Sequence, residues 1–371
     1  MADQYRILTI NPGSTSTKAS AYLDDQEVWK ANITHAPEEL DQFENMFEQG
    51  PYRRDAVFAA MAEAGLDPQK LDAVVAVGGV GLAGVPYGTY AVNDVMLKHS
   101  IEGKYAVHPN NVGVVIADEI AKGAGAQAMA AGMASAEEFQ DLAHVGGFKE
   151  TPRRCMVHML NTKEVALRYA ASIGRSYEDL NLILAHIGGG ITIAAHRKGK
   201  VVDGTNGVDQ EGPMSANRPG TVRLVSFMKL LAGKDPAEQK KLVSSQGGLV
   251  SHLGTANALE VKKMIEDGDE YAKLVYDALF YQCAGWIGHM AAVLEGKVDA
   301  ILLTGGLMND AYGAEFVTKM VNWIAPVVTY PGELEGEALA AAALRVLRGE
   351  EELLEYTGVP VWDGFDYLKR A

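Results

Sequence analysis

Short apolar stretches separated by glycine-rich or polar turns recur along the chain, a pattern typical of β-strands. The first group predicts strands at residues 5–11, 19–23 and 27–33, with a turn of small residues at 13–18. A second group predicts strands at residues 181–187, 191–196 and 201–203, with Gly188, Gly189 and Gly190 as the corresponding turn. The same strand–turn–strand arrangement is therefore predicted in both halves of the chain.

A second signal also occurs twice. Residues 70–79 and 297–306 each predict a buried strand that ends in two glycines, and each follows its strand–turn–strand group. Strands that end in Gly-Gly are common in α/β proteins, so a chance match is the alternative explanation. Because the order of both signals is preserved, we favour an internal duplication.

Helical patterns lie between these strands. Helices are predicted at about residues 52–64, 111–122, 136–143, 162–173 and 269–294. Sheets covered by helices of this length indicate an α/β fold with two layered domains.

Composition narrows the classes of partner. The chain has 371 residues, 33 basic against 48 acidic side chains and a formal charge of −15, so a nucleic-acid backbone or an anionic membrane would be repelled. Its two cysteines, Cys155 and Cys283, are far apart and outside any CxxC spacing, which fits a reducing compartment. No apolar run approaches the length of a membrane span. We therefore expect a soluble cytoplasmic protein that binds neither nucleic acid nor membrane.

The two small-residue turns are suited to phosphate. Turns without a blocking Cβ let a phosphate chain approach backbone N–H groups, and the segment from Gly13 to Lys18 adds hydroxyls and a cation. A hydroxyl-rich surface hairpin is the alternative for this segment. The segment does not match GxxxxGK[ST], because no glycine precedes Lys18 and no helical pattern follows it.

A GxGxxG pattern at residues 79–84 requires separate consideration. It follows an apolar strand, as in dinucleotide-binding folds, but the next residues include Pro86 and do not predict the helix that should receive a pyrophosphate. The pattern therefore does not favour a dinucleotide-binding dehydrogenase.

Five motifs spread in order over nearly the whole chain carry a resemblance to a known family. They are NPGSTSTK at 11–18, VHMLN at 157–161, HIGGGI at 186–191, LTGGL at 303–307 and YPGE at 330–333. Together they resemble the butyrate kinases, which belong with acetate kinases to the superfamily of sugar kinases, actin and heat-shock chaperones. The resemblance implies a duplicated two-domain, actin-like (ribonuclease H-like) α/β fold with mixed sheets and an interdomain nucleotide cleft. It also implies a first domain of residues 1–155 plus about 339–371, and a second of 156–338.

The resemblance also implies roles for individual residues. It places Asn11, Ser14, Ser16 and Lys18 in the first phosphate loop, Gly188, Gly189 and Gly190 in the second, and Gly305, Gly306 and Leu307 beside the adenosine of ATP or ADP. It implies that His158 and His186 flank the transferring phosphoryl group and that Arg218 offers it a guanidinium. Either Glu335 or Glu337 is expected to contact Mg²⁺, and the sequence leaves both open.

Two positions depart from the family pattern. Gly79 stands where the family has an arginine that helps to bind the carboxylate or the phosphoryl group, and Gly132 stands where it has an aspartate. Losing one charged group that acts in the transition state costs on the order of 10²- to 10³-fold in rate. Arg53, Arg54 and Arg153 are candidates to replace the missing arginine from other positions.

The expected activity is the ATP-dependent, reversible phosphorylation of a short-chain fatty acid, butyrate or a branched relative, to an acyl phosphate. Two alternatives remain open at this point: a nucleotide-binding paralogue with weak or no kinase activity, and a kinase of a different carboxylic acid. By the same resemblance, the protein is expected to form a homodimer or a larger homo-oligomer.

Overall fold

A computed structural model describes residues 4–365 of the chain. Residues 1–3 and 366–371, which include the end of the predicted carboxy-terminal tail of the first domain, lie outside the described residues. The chain divides into two compact units: unit 1 is Met1–Glu137 with Leu334–Ala371, and unit 2 is Glu138–Glu333. The domain boundaries at 155 and 338 remain sequence predictions, whereas the units divide at 137 and 333.

The elements alternate along the chain as the apolar pattern indicates. The strands are β1 Arg6–Pro12, β2 Ser16–Leu23, β3 Gln26–Thr34, β4 Ala73–Val77, β5 Tyr90–Ala91, β6 Gln127–Ala131, β7 Asn181–Ile187, β8 Ile191–Arg197, β9 Lys200–Gly204, β10 Ala300–Gly305, β11 Val327–Pro331 and β12 Leu354–Glu355. The α-helices are α1 Pro37–Leu40, α2 Gly50–Glu63, α3 Asp94–Glu102, α4 Asn111–Ala124, α5 Asp141–His144, α6 Met159–Ser172, α7 Leu224–Leu231, α8 Pro236–Ser244, α9 Gly248–Leu253, α10 Ala258–Glu266, α11 Glu270–Val293, α12 Ala311–Val321 and α13 Glu335–Leu347. A short 3₁₀ helix, Gly306–Asn309, follows β10.

The two units share an arrangement of five strands, to which unit 1 adds β5 and β12 at one edge. In unit 1 the order is β12-β5-β6-β4-β1-β2-β3, and in unit 2 it is β11-β10-β7-β8-β9. In both, three consecutive strands form an antiparallel meander, and its first strand pairs in parallel with the strand that ends in Gly-Gly. The predicted duplication is therefore present in the architecture of the units.

Matching details support the duplication. The register Ile7↔Ala73 in unit 1 corresponds to Leu182↔Ala300 in unit 2, which makes Asn11 equivalent to His186. The same register makes the bulge after Ala21 in β2 equivalent to the bulge after Ala195 in β8. Two units with the same strand order, register and bulge positions are expected from duplication and not from a chance recurrence of Gly-Gly strands.

Helices cover the sheets and create the core of each unit. In unit 1, α4 packs on β4 and β6, and α13 packs on β1 and β4. In unit 2, α11 packs on β7 and β8, while α6 packs on β7 and β10. The parallel strands β4 and β10 are buried along their whole length, which explains their uninterrupted runs of alanine, valine, leucine and isoleucine. This packing holds the ends of β1 and β7 rigidly at the positions where the predicted phosphate loops begin.

One predicted helix is wrong. Residues 136–143 were expected to be helical, but only Asp141–His144 forms a single turn. The backbone of this segment bonds to other elements instead: Glu137 N–H donates to Val85 O at 2.9 Å, and Gln140 N–H donates to Val202 O at 3.1 Å. These bonds take the place of the i to i−4 ladder that a helix would need.

Three further observations concern the GxGxxG pattern, membrane-spanning helices and the two cysteines. Residues 79–84, the GxGxxG pattern, lead into irregular backbone and not into a helix, as expected. Within residues 4–365, no helix has the length and apolar character needed to cross a membrane. Cys155 and Cys283 are both buried.

Candidate active site

The turn between β1 and β2, residues 13–15, is the N-terminal loop of unit 1. Gly13 N–H donates to Ser16 O at 2.7 Å and closes the turn, while Ser14 is exposed and Ser16 is half-buried. Asn11 and Lys18 face each other across the strands that support the loop. All four residues predicted for the first phosphate loop therefore lie on one hairpin.

Arg53 of α2 anchors the N-terminal loop through the backbone carbonyls of Gly13, Ser14 and Ser16. Its side chain is 2% exposed, and Nη1 donates to Gly13 O and Ser16 O at 3.0 Å each, while Nη2 donates to Ser14 O at 3.1 Å. The guanidinium also donates to Gln49 Oε1 from Nε and Nη2. Within the described part of the chain Arg53 has no carboxylate partner, and burial lowers the pKa of its guanidinium.

These contacts fix the orientation of the loop amides. In a trans peptide the C=O of one residue and the N–H of the next point in opposite directions. Because the carbonyls of Gly13 and Ser14 point at Arg53, the N–H groups of Ser14 and Thr15 point away from it. The loop therefore presents backbone donors on its outer side, as a phosphate-binding turn requires.

Glu335 lies against the same hairpin. Its Oε2 accepts a hydrogen bond from Asn11 Nδ2 at 2.9 Å and lies 3.3 Å from Lys18 Nζ. Glu337, two residues further along α13, lies near Tyr22: burial, then Glu27, then the charge of Glu337 raise the pKa of that phenol. Of the two predicted metal ligands, Glu335 is the one with recorded contacts to the phosphate-loop residues Asn11 and Lys18.

The turn between β7 and β8, residues 188–190, is the glycine loop of unit 2. Gly188 N–H donates to Gly190 O at 3.1 Å. A Cβ placed on Gly190 would lie 3.3 Å from His158 Nε2 and 3.4 Å from Arg218 Nη1. A Cβ on Gly188 would lie 3.2 Å from His186 Nε2, whereas Gly189 has open space around it. The glycines thus let three cationic or imidazole side chains approach the loop closely.

The rings of His158, which is half-buried, and His186, which is buried, form a stacked pair beside the glycine loop. Their ring centroids are 4.1 Å apart with an interplanar angle of 10°. Burial lowers the pKa of His186 to about 4, and burial, the partner ring and Arg218 hold the pKa of His158 well below its usual range. Both imidazoles are therefore neutral near pH 7, so they act as hydrogen-bonding groups and not as cations.

Each imidazole is held through its Nδ1. His158 Nδ1 lies 2.7 Å from Thr192 Oγ1, which also accepts the His158 backbone N–H at 3.2 Å. His186 Nδ1 lies 2.9 Å from Asn161 Nδ2, on the first turn of α6. The Nε2 atoms are consequently the ones directed at the glycine loop.

Arg218 supplies the positive charge of this site. Nη1 donates to Gly207 O at 3.2 Å, and no carboxylate lies within ion-pair distance of the guanidinium among residues 4–365. Burial lowers the pKa of Arg218. A partly desolvated guanidinium without a carboxylate partner, next to two imidazole N–H groups, is suited to bind an anion.

The turn after β10 lies beside the glycine loop. Gly305 has φ +100°, and a Cβ there would lie 2.5 Å from Ile187 O, so the position excludes other residues. Gly306 N lies 3.5 Å from the position that a Cβ of Gly188 would take, and Leu307 packs partly buried against the core of unit 2. The residues predicted to lie near the adenosine are therefore neighbours of the second phosphate loop.

Gly79 and Gly132, the two positions that depart from the family pattern, both lie in unit 1. A Cβ on Gly79 would lie 2.4 Å from Asn111 Oδ1 and 2.9 Å from Asn111 N, so Asn111 already takes up that space. Gly132 has φ +61°, a conformation that favours glycine. Whether these glycines replace family residues remains a prediction.

The three arginines suggested as replacements all have other partners. Arg53 holds the N-terminal loop, as described above. Arg54 pairs with Asp55 and Glu119 at 2.8 Å each, and Arg153 pairs with Asp203 at 2.9 Å and Glu211 at 2.7 Å. Each of the three guanidinium groups is therefore already bound by other protein groups in the absence of a substrate.

Sequence reasoning missed four residues that support the site: Arg53 as the loop anchor, Asn161, Thr192 and Glu333. Asn161 could have been found, because it lies in the VHMLN motif, in the first turn of α6, three residues after the N-cap residue His158. Glu333 Oε1 lies 3.7 Å from His186 Nε2. The sequence does not indicate the roles of Arg53 and Thr192, because Arg53 lies in a distant helix and Thr192 has the pattern of an ordinary strand residue.

Comparison with known proteins is consistent with this geometry. A family model described as the Acetokinase family matches residues 149–324. The chain is similar to "Butyrate kinase 2" of Clostridium acetobutylicum, at 41% identity over 355 residues that cover 95% of this chain and 99% of the relative. It is also similar to a "Probable butyrate kinase" of Coprothermobacter proteolyticus, at 43% identity over 356 residues with the same coverage.

Solved structures show the same fold at low identity. Acetate kinase of Porphyromonas gingivalis matches with a TM-score of 0.76 and 18% identity, covering 93% of this chain and 100% of the other. A propionate kinase of Francisella tularensis matches with a TM-score of 0.71 and 16% identity, covering 91% and 98%. This likeness confirms the predicted duplicated actin-like α/β fold. On the identity and coverage of its relatives, the chain belongs to the butyrate kinases of the acetokinase family.

Proposed function

We propose that the protein catalyses the ATP-dependent phosphorylation of a short-chain fatty acid to an acyl phosphate. The observation that carries the proposal is the grouping of His158, His186 and Arg218 around the glycine loop. Relatives that bear the name butyrate kinase over almost the whole chain support it, and they favour neither a catalytically silent paralogue nor a kinase of an unrelated acid.

The reaction needs positioning and charge neutralisation more than a strong base. A carboxylate is already ionised near neutral pH, so its oxygen can attack the γ-phosphorus while the bond from that phosphorus to ADP breaks. Negative charge is spread over the phosphoryl oxygens as this happens. Arg218 supplies a cation for those oxygens, and the imidazole N–H groups of His158 and His186 supply neutral donors.

Each loop is proposed to offer backbone donors to phosphate oxygens of the nucleotide. In unit 1, the outward N–H groups of Ser14 and Thr15 are suited to phosphate oxygens, with Lys18 adding a positive charge. In unit 2, Gly188, Gly189 and Gly190 leave their backbone open to a second set of phosphate oxygens. Gly305, Gly306 and Leu307 are proposed to bind the adenosine.

Magnesium fits the residues near the N-terminal loop. Mg²⁺ in kinases is usually held by one or two carboxylates together with nucleotide phosphates and water, and not by a complete protein cage. We propose Glu335 as the protein carboxylate and exclude Glu337 from this role. When bound, the ion would neutralise charge on the phosphate oxygens.

The test is turnover with magnesium and ATP across straight and branched acids of about two to five carbons. ADP release is followed by a coupled assay, and trapping with hydroxylamine identifies the acyl phosphate. The proposal predicts turnover with at least one acid and a loss on the order of 10²- to 10³-fold in kcat for Arg218→Met. Arg223→Met, an exposed arginine in the same segment, is the matched control and should retain full activity.

Absence of turnover with every acid, at an enzyme concentration near that of ATP, would refute the proposed activity. ATP binding without transfer would then support the paralogue instead. A cytoplasmic location, expected from the two isolated cysteines, and a homodimer or larger homo-oligomer, expected from the sequence resemblance, are part of the same proposal. Size-exclusion chromatography with light scattering tests the latter.

A further inference from the structure

A buried chain of hydrogen bonds leads to His186. Thr304, at the end of β10, is fully buried, and its Oγ1 lies 3.1 Å from Gly332 O and 3.2 Å from Asn161 Nδ2. The same Asn161 Nδ2 lies 2.9 Å from His186 Nδ1. Three side chains from three different elements therefore connect a backbone carbonyl to the imidazole.

The chemistry of the groups fixes the direction of each bond. A carbonyl oxygen can only accept, so the Thr304 hydroxyl hydrogen points at Gly332 O. Thr304 Oγ1 must then accept its other contact, which means that the nitrogen of the Asn161 amide, and not its oxygen, faces it. The second hydrogen on that nitrogen is directed at His186 Nδ1. Nδ1 is consequently an acceptor, and the neutral ring carries its hydrogen on Nε2.

We propose that Asn161 and Thr304 are positioning residues that hold His186 in the Nε2–H tautomer, so that Nε2 donates to the transferring phosphoryl group. The inference rests on the proposed function for its catalytic part only. Nε2 is the ring atom that faces Gly188, so the tautomer places the donor on the side of the glycine loop. Without the hydrogen bonds from Thr304 and Asn161, a buried neutral imidazole could carry its hydrogen on Nδ1 and present the lone pair of Nε2 to a phosphoryl oxygen.

The duplicated architecture gives an independent reason to assign a role to this contact. Asn11 of unit 1 is equivalent to His186, and its side chain is held by Glu335, from the first turn of α13. Asn161 comes from the first turn of α6, which packs on β7 as α13 packs on β1. In both units a polar group from a helix start orients the side chain at the end of the first strand.

Few charges face the ring. His158 stacks on it, and Glu333 Oε1 lies 3.7 Å from Nε2. Because burial lowers the pKa of His186 to about 4, the ring is neutral near pH 7, and the contact with Glu333, which is longer than a hydrogen bond, is not an ion pair. The tautomer is thus set by Asn161, the group on the opposite edge of the ring.

The first experiment observes the tautomer directly. Nitrogen-15 NMR of histidine-labelled protein, without nucleotide, distinguishes protonated from unprotonated ring nitrogens, and His186→Gln identifies the signals of this residue among the nine histidines. We expect an unprotonated Nδ1 and a protonated Nε2 at pH 7. In Asn161→Asp, a carboxylate faces Nδ1 and should draw a proton onto it.

The second experiment measures the consequence for catalysis. In Asn161→Asp the imidazolium still donates from Nε2, but once it loses a proton the carboxylate keeps the remaining hydrogen on Nδ1. We therefore expect kcat of this variant to fall as pH rises, by on the order of 10²-fold, whereas the unaltered protein has no such alkaline loss from His186. The KM for ATP should change less than about threefold.

Two variants of Thr304 test the same inference even if Asn161→Asp does not fold. Thr304→Ser keeps the hydroxyl and should retain both the tautomer and kcat. Thr304→Val keeps the shape but lets the Asn161 amide turn over, which should protonate Nδ1 in part of the population and lower kcat without raising the KM for ATP. Circular dichroism and the unfolding midpoint verify that the variants are folded.

An Nδ1–H tautomer at His186 in the unaltered protein would overturn the inference. So would an unchanged kcat and pH profile in variants whose Nδ1 has gained a proton. Complete absence of carboxylate phosphorylation in the unaltered protein would refute the proposed function instead, and the NMR spectrum would still support or overturn the tautomer assignment.

Discussion

Replacing Arg53 tests whether a buried cation shapes the N-terminal loop. Arg53→Met preserves the length of the side chain but removes every donor to the carbonyls of Gly13, Ser14 and Ser16. Ser16 O keeps its bond from Gly13 N–H, whereas no other protein donor reaches Gly13 O or Ser14 O among the described residues. The change therefore leaves two loop carbonyls without their partners.

The expected cost follows from these contacts. A carbonyl deprived of its donor costs about 1–3 kcal/mol, which for two gives about 2–6 kcal/mol. Removing a desolvated cation offsets part of this cost, so we expect the free energy of unfolding to fall by about 1–4 kcal/mol. If the freed peptides turn, the amides of Ser14 and Thr15 no longer point outward. Losing one charge-assisted bond to a phosphate, about 1.5–3 kcal/mol, would raise the Kd for ATP about 10- to 150-fold.

Urea unfolding measures the first quantity and titration calorimetry with ATP measures the second. Arg54→Met is the control, because Arg54 lies next along α2 and makes more exposed ion pairs, whose loss typically changes stability by about 0–1 kcal/mol. It should leave ATP affinity unchanged. A variant Arg53→Met that is destabilised but binds ATP with unaltered affinity would refute the idea that Arg53 orients the loop amides.

Three further predictions concern other residues. Gly79→Arg should lower the free energy of unfolding by about 1–3 kcal/mol without raising activity, because Asn111 fills the space; higher kcat at unchanged stability in urea would contradict this. Glu335→Gln should raise the Mg²⁺ concentration needed for half-maximal rate, whereas Glu337→Gln should not; equal effects in a Mg²⁺ titration would remove the distinction. Burial lowers the pKa of His186 to about 4, below the value of about 6.5 in the unfolded chain, so the unfolded chain binds the proton first as the pH falls. The free energy of unfolding should therefore fall by about 2 kcal/mol from pH 7 to pH 5. His186→Gln should lose this part of the pH dependence of stability, and an unchanged pH dependence would argue against a neutral buried ring.

The strands and the duplication could be predicted because they depend on local pattern. Apolar runs bounded by glycine mark β1, β4, β7 and β10 directly, and their order repeats. The helix expected at 136–143 failed for a different reason, since its polar side chains and amides are used by long-range contacts that no local pattern reveals. Tertiary hydrogen bonds from Glu137 and Gln140 override the helical propensity there.

The same distinction applies to the site. The residues of the motifs are visible in the sequence: His186 closely precedes the glycine turn at 188–190, and His158 lies in the VHMLN motif. Their supporting residues come from separate elements. Thr304 lies within the LTGGL motif, but the motif does not show that its hydroxyl contacts Asn161, and Arg53 lies within a distant helix. Proposing Glu335 in preference to Glu337 as the Mg²⁺ ligand also needed the structure, because the sequence does not show that α13 packs on β1 with the Glu335 carboxylate against Asn11.

The measurement that tests the central claim most directly is a crystal structure with ADP, magnesium and a planar phosphoryl mimic such as aluminium fluoride. The account predicts that the mimic contacts Nε2 of His186, Nε2 of His158 and the guanidinium of Arg218 over the glycine loop. A mimic bound away from all three side chains, with the nucleotide ordered, would contradict it.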